Sequence, residues 1–250
     1  MNYTVKELMV TVLARELNDN EVGYVGAAAA IPLMACLLAQ RTHAPGLILS
    51  GLVVNPRAEV LFPSAFDYRY LTRAEAWADC WDIFVESERG VDFMFYSGIQ
   101  IDQRGNVNLN RVGPKSQPRL QGPGMGNSAL GINCRRFYIY HARHRKETFV
   151  PEVDFISVPG TLVNGRPRAE LAVYGRGPEL CVTPLAVMGF EEGGTMRVKS
   201  IHPGVTWEQL QQNTGFPLDS PSTPSVTGQP TEEEISVLRG IDRTGLLRSD

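Results

Sequence analysis

An apolar run, Leu47-Ile48-Leu49, stops at Ser50-Gly51, resumes as Leu52-Val53-Val54 and then meets Asn55-Pro56. A hydroxyl followed by a glycine marks the end of a buried strand, and strand ends facing a cleft are where open α/β sheets keep their chemistry. A second candidate is LQGPGMGNSALG. Its glycines at 122, 124 and 126 let backbone N–H groups approach an anion or a carbonyl oxygen, and a helix can open behind them. A plain structural turn has the same composition. The third set is His141 and His144 among Arg135, Arg136, Arg143, Arg145 and Lys146. A metal site, a solvated basic edge and a cradle for the phosphates of an anionic cofactor all fit those residue types. The crowding of positive charge disfavours a dication.

The chain lacks G-x-x-x-x-G-K-[ST], a strand-borne G-x-G-x-x-G and G-x-S-x-G, so kinases, classical dehydrogenases and α/β-hydrolases lose support. With 250 residues, 43% of them hydrophobic and 20% charged, it is long enough to bury a sizeable core. A net charge of −3 argues against nucleic acid as a partner. Cys36, Cys80, Cys134 and Cys181 are scattered without metal-like spacing, which suits a reducing compartment. Lys6, Glu7, Arg15 and Glu16 are too closely spaced for a signal peptide. The longest apolar stretch, Val25 to Ala39, contains Pro32 and falls short of the ~20 residues of a membrane helix. A cytoplasmic protein with no membrane partner is expected.

The elements that must hold these residues follow from periodicity and caps. Thr4-Val-Lys-Glu7 is a capping box opening a helix through Val5, Leu8, Met9, Val12 and Leu13. Pro32 suits the first turn of a second helix through Gln40. GLILS is a short buried strand. RAEAWADCWDIFVESERG predicts an amphipathic helix with Trp77, Trp81, Phe84 and Val85 on its apolar face, the tryptophans being core, and Gly90 as its stop. VDFMFYSGIQID, RRFYIYHA, VDFISVPG and ELCVTPLAVMGF read as strands, and EEGG as a turn into TMRVKSIHPG. TWEQLQQNTGF is a short helix. Residues 217–230 form a Pro/Ser-rich tether to a last helix, capped at Thr231-Glu-Glu-Glu234. No internal repeat stands out, and a single α/β domain over 1–250 is expected.

Five segments occur in a telling order: VGAAAAIPLMACLLAQRTHAPGLILSG, SGIQIDQRGNVN, LQGPGMGNSA, VDFISVPG and NTGF…PTEEEISVLRGID. Together they resemble, from about Thr4 to Asp242, the β subunit of the family I CoA-transferases, of the glutaconate CoA-transferase type. The resemblance implies an open three-layer α/β sheet of the CoA-transferase (NagB/RpiA-like) type. It also implies an α-subunit partner of related fold, in a heterodimer or α2β2 assembly. Coenzyme A would enter as part of an acyl-CoA substrate, with no cofactor bound permanently. SGIQIDQRGNVN matches the family's G-x-Q-x-D-x-x-G-N-x-N pattern through Gly98, Gln100, Asp102, Gly105, Asn106 and Asn108; in that family this stretch lines the acyl pocket and shapes the nearby turn, and the resemblance implies the same here. GPGMGN matches the glycine-rich loop near the thioester, with Met125-Gly126 where that loop reads Gly-Ala. Gly124 and Asn127 are the positions carried over from it.

In transferases of this family the strand after the Ala-Pro turn ends in a glutamate beside a Ser-Gly pair. That carboxylate attacks the thioester, passes through an anhydride and becomes a glutamyl-CoA thioester. Here no acid lies between Glu21 and Glu59. Counting back from Asn55-Pro56 puts Ser50 at that spot, and matching Ser-Gly to Ser-Gly puts Leu49 there. The members without the glutamate are the β subunits of 3-methylglutaconyl-CoA decarboxylase and of the steroid ring-opening CoA hydrolase. A thioester carbonyl held by backbone donors is an electron sink for decarboxylation or retro-Claisen cleavage. The expectation is therefore a lyase, hydrolase or decarboxylase. Ser50 and Gly51 would meet the substrate or a water, and Gln100, Gly124 and Asn127 would orient the acyl group. Two alternatives stay open: a true transferase with its glutamate on the α subunit, and a structural subunit without chemistry. Ser50 can equally be a small residue that lets a backbone pass, and Gln100 and Asn108 can simply tie loops together.

Overall fold

A computed structural model describes residues 2–124, 128–171, 173–190, 194–219 and 224–248. They form two compact units, one drawn from the chain up to Phe95 and from Gly228 onward, the other from Tyr96–Thr227.

The first unit begins with α1 (Val5–Arg15), closed as its sequence predicts. Thr4 Oγ1 accepts the Glu7 N–H at 3.1 Å, and Glu7 Oε2 accepts the Thr4 N–H at 2.8 Å. β1 (Val22–Tyr24) is followed by α2 (Ala30–Arg41), which has Pro32 in its first turn and is buried from Ile31 to Ala39. β2 (Ile48–Ser50) and β5 (Val91–Tyr96) flank β1 in parallel, with Tyr24 opposite both Ser50 and Met94. Between them, β3 (Val53–Val54) pairs antiparallel with β4 (Ala76–Trp77), and α3 spans Cys80–Ser87.

That helix is shorter than its pattern suggests. Asp79 accepts the N–H groups of Trp81 at 2.7 Å and Asp82 at 2.9 Å, so the helix starts after it and Trp77 stays outside on β4. Only Ile83 and Ser87 of α3 are buried. Trp77 and Trp81, expected in the core, are 76% and 73% exposed. The i, i+4 spacing of the pair is real in sequence, but one member is not helical.

In the second unit, β6 (Gln100–Asp102) lies between β7 (Val107–Asn108) and β11 (Phe149–Val150). β8 (Arg111–Val112) and β9 (Leu120–Gln121) form a small ribbon before α4 (Ser128–Asn133). The larger sheet runs β10 (Cys134–Tyr140), β14 (Gly177–Val182), β15 (Ala186–Phe190), β16 (Met196–Ile201) and β17 (Ser225–Val226). β12 (Leu162–Val163) and β13 (Arg166–Pro167) make a hairpin, and α5 covers Trp207–Gln212. The chain then returns to the first unit as α6 (Glu232–Ile241), whose Arg239 pairs with the buried Glu7 at 2.8 Å.

Two strand expectations are corrected. VDFMFYSGIQID is two strands, β5 and β6, broken at the small pair Ser97-Gly98. VDFISVPG carries no strand: Val158 makes one isolated bridge to Val107, and Pro159 lacks the N–H that would extend it. The tether at 217–230 holds β17, which adds to β16 in parallel. The expected EEGG turn falls largely on residues 191–193, outside the described residues. Among those described, no helix is long and apolar enough to cross a membrane.

The polar core of the second unit is neutral or satisfied by backbone. Arg168 is buried and donates to the carbonyls of Pro159, Gly131, Tyr174 and Gly175, which ties α4 to two loops. His144 stacks on Phe149 with centroids 4.1 Å apart. Thr214 gives its hydroxyl proton to the Leu210 carbonyl at 2.8 Å, so it accepts from His144 Nε2 at 3.0 Å. His202 is held between Thr227 and the Thr183 carbonyl. Burial pushes His144 down to about 3 and His202 down to about 4.

Both histidines therefore fold neutral. Below about pH 6.5 the unfolded chain takes up protons that the folded chain refuses, so stability falls with pH until about 4. Each histidine contributes a loss of about 3 kcal/mol over that window. Thermal melts between pH 7 and pH 4 should show a steadily falling Tm; a flat Tm from 6.5 to 4.5 would show that the histidines are already charged in the fold.

Candidate active site

Ser50 sits where the chain leaves β2, and its neighbours hold the strand end by its backbone. Asn55, with φ of 42°, folds back on Leu49. Its N–H donates to the Leu49 carbonyl at 2.8 Å, and its Oδ1 accepts the Leu49 N–H at 2.9 Å. Gln40 Nε2 donates to the same Oδ1 at 3.1 Å, and Asn55 Nδ2 donates to Glu75 Oε2 at 2.9 Å. The loop Ser50–Val54 is thus closed at its base while Ser50's side chain remains free for another partner.

That partner is an acid. Ser50 Oγ donates to Glu86 Oε2 at 2.8 Å, and Tyr24 OH donates to the same oxygen at 2.6 Å. Tyr24 and Ser50 are buried neighbours in the parallel β1/β2 register. Glu86 reaches them from α3, one turn beyond the buried Ile83, so it stands at the edge of the helix face that packs inward. Glu86 as a residue is exposed. Burial raises the Tyr24 hydroxyl well above its usual range, and the Glu86 hydrogen bond and charge add to that, so Tyr24 remains a proton donor. Glu86 and Tyr24 were missed in the sequence. The acid lies thirty-six residues beyond Ser50, and only a sign that α3 folds back over the end of β2 would have joined them.

Just beyond Gly51, Leu52, Val53, Phe66, Tyr68, Leu71, Trp77 and Ala78 line an apolar recess of about 530 Å³. It carries no charged side chain.

Gly98, Gln100, Asn108 and Gly124 belong to the second unit. Gln100 and Asn108 face each other across β6 and β7, and Asn108 Nδ2 donates to Gln100 Oε1 at 2.7 Å. The Asp154 N–H donates to the same Oε1 at 3.0 Å, and Gln100 Nε2 donates to Asp154 Oδ2 at 3.2 Å. Asn108 also donates to the Arg111 carbonyl and accepts from Asn110 N–H. Both amides tie loops together. Asp102 and Asn106 do the same at the Gly105 turn, with Asn106 Nδ2 on Asp102 Oδ2 at 2.9 Å. A Cβ on Gly98 would lie 2.6 Å from Val107 Cγ1, so only glycine permits that approach. Gly124 has φ of 104° with open space around it, and its N–H is spent on the Leu109 carbonyl at 3.1 Å. Asn127, with Met125 and Gly126, lies outside the described residues. Arg111, unnoticed in the sequence, sits over the Phe155 ring and has a buried Nε without a hydrogen-bond partner. Among the described residues no group of histidine, cysteine and carboxylate side chains could hold a metal ion, and His144 is core rather than a solvated edge.

No family model matches the chain. It is 30% identical over 246 residues to the β subunit of the 3-oxoadipate CoA-transferase of Pseudomonas knackmussii, covering 96% of this chain and 94% of that one. The chain belongs to the CoA-transferase family, as a β-type subunit. It is also 29% identical over 219 residues to the cholesterol ring-cleaving hydrolase IpdB subunit of Rhodococcus jostii, covering 85% and 82% of the two chains. The crystal structure of the decarboxylase AibA/AibB matches this β-type chain with a TM-score of 0.86 at 26% identity, over 99% and 98% of the two chains. The α/β fold class and the family resemblance are both borne out. The relatives span transfer, hydrolysis and decarboxylation, so the family leaves the reaction itself open.

Replacing Asn55 by Ala removes three side-chain hydrogen bonds and strains φ, and should destabilise this CoA-transferase-family chain by about 2–3 kcal/mol in denaturant unfolding. Amide exchange at Leu49 should accelerate with it. Unchanged protection there would mean the strand end is held by something else.

Proposed function

We propose that this chain is the β subunit of a heteromeric enzyme that cleaves a carbon–carbon bond in an acyl-CoA thioester, by hydrolysis or decarboxylation, and does not transfer CoA. The supporting observation is the end of β2. A hydroxyl stands there, hydrogen-bonded to a carboxylate from another element, and no acid projects from the strand itself. A serine ester would be a poor CoA acceptor, because only an anhydride keeps the transferred acyl group activated.

Cleavage needs less from the protein. The thioester carbonyl accepts the electron pair released when a bond at its α carbon, or at a conjugated γ carbon, breaks. Hydrogen bonds to the resulting enolate oxygen are each worth about 3–4 kcal/mol when preorganised. In this reading Ser50 contacts the substrate or orients a water. The apolar recess beyond Gly51 favours a hydrocarbon acyl portion over a second carboxylate. Coenzyme A enters and leaves with the substrate, with no resident cofactor. The partner is an α subunit of the same family, in a heterodimer or an α2β2 assembly, in the cytoplasm. That reading follows the relatives, among them the hydrolase IpdB subunit and the decarboxylase AibA/AibB.

The test is the complex co-purified with its α partner, incubated with a panel of acyl-CoA thioesters and followed by intact mass and product analysis. Loss of substrate with carbon dioxide or a newly formed acid, and no adduct on either chain, is the expected result. A CoA-sized adduct on either subunit would establish a transferase instead, and product formation by the partner alone would leave this chain structural. In the cleaving complex, Ser50→Ala should lower turnover about tenfold or more; full turnover would remove Ser50 from the chemistry.

A further inference from the structure

We propose that the recess beyond Gly51 is the subsite for the acyl tail, that it selects a hydrocarbon tail without a distal carboxylate, and that Leu71 and Trp77 set this selectivity. The inference rests on the reading that an acyl-CoA thioester meets Ser50. It adds the class of acyl group and does not depend on which bond breaks.

Position is the first support. Leu52 lines the recess and follows Ser50 by two residues, so their Cα atoms lie within about 8 Å of each other. A tail leaving a carbonyl at Ser50 reaches the recess within a few carbons. The volume of about 530 Å³ falls inside the roughly 300–1,000 Å³ of small-ligand clefts, and the apolar and aromatic lining is of their kind.

Construction is the second support. The β3/β4 ribbon supplies Leu52 and Trp77: Val53 pairs with Trp77, and the Ala78 N–H donates to the Leu52 carbonyl at 3.2 Å. A 3₁₀ helix, Tyr68–Arg73, supplies Tyr68 and Leu71. Its three-residue period stacks those two on one face. Tyr70 turns inward instead, where its hydroxyl oxygen accepts the Phe62 N–H at 2.7 Å. Tyr68 and Leu71 are 77% and 50% exposed, an arrangement that favours an apolar occupant.

Charge is the third. Each arginine of the 57–73 segment already holds a carboxylate: Arg57 with Glu75 at 2.6 Å, Arg69 with Asp67 at 2.7 Å, and Arg73 with Glu59. The Arg69 guanidinium also lies over the Phe62 ring, 3.6 Å from its centroid. A distal carboxylate entering the recess would therefore lose its hydration and gain no cation.

The experiment uses the complex with its α partner and measures calorimetric binding of free CoA, straight saturated acyl-CoAs from butanoyl to decanoyl, and hexanedioyl-CoA. Saturated tails offer no bond for cleavage, so binding is read apart from turnover. Kd should fall about fourfold per added methylene until the recess is full. Hexanedioyl-CoA should bind at least about tenfold more weakly than hexanoyl-CoA. Leu71→Lys should erase most of the chain-length gain and strengthen hexanedioyl-CoA about tenfold, with free CoA and thermal melting unchanged. Trp77→Ala should weaken decanoyl-CoA more than butanoyl-CoA. A series in which all acyl-CoAs bind alike, and better than free CoA, would take the tail out of the recess and leave the thioester reading standing. Binding of neither CoA nor any thioester would overturn both. Loss of the α partner from either variant would make the recess a subunit contact and overturn the proposal.

Discussion

The placement of Ser50 depends on one side chain that does not touch it. Asn55 adopts the left-handed backbone region that asparagine tolerates better than most residues, and its amide spans the loop base by bonding both sides of the Leu49 peptide. Without that bridge, three-residue β2 would fray where its hydrogen-bonding ladder ends. Gln40 from α2 and Glu75 extend the bridge into the body of the first unit. The strand end is both buried and tied through its main chain.

Around that fixed point, the elements divide the work by exposure. Buried Tyr24 approaches from the neighbouring strand, and accessible Glu86 approaches from a helix whose start is set by Asp79. A shift of one residue in that start would rotate Glu86 by about 100° around the helix axis, away from the serine. The capping box therefore acts on the Ser50–Glu86 hydrogen bond at a distance, through helical phase. The second unit follows a different plan. Its side-chain amides at 100 and 108 are almost wholly consumed by one another and by Asp154 and the Arg111 backbone, so they build a stiff turn.

Much of this was readable beforehand. The capping boxes at Thr4 and Thr231, Pro32 in the first turn of α2, and the break at Ser50 all rest on local physics, and each element forms where those residues say. What escaped were features decided by distant chain. Trp77 and Trp81 look like a helical stripe, yet which face of α3 is covered depends on strands far away in sequence. VDFISVPG has strand composition and no partner but a single bridge. The Ser50–Glu86 pair is the sharpest case: the serine was evident from its surroundings, while its acid was one of many surface glutamates until α3 was seen to lie against β2. Order of segments along the chain identified the family; it carried no information about that pairing.

The loop that presents Ser50 closes through the peptide of Leu49, so residue 50 contributes nothing to the closure. Such a position behaves as a socket. Its occupant can be exchanged by a single codon change while the backbone path, the helix behind it and the recess beyond it stay in register. A scaffold with that property can drift from one reaction to another without passing through an unfolded intermediate in sequence space, and the partner acid on α3 can be gained or lost independently.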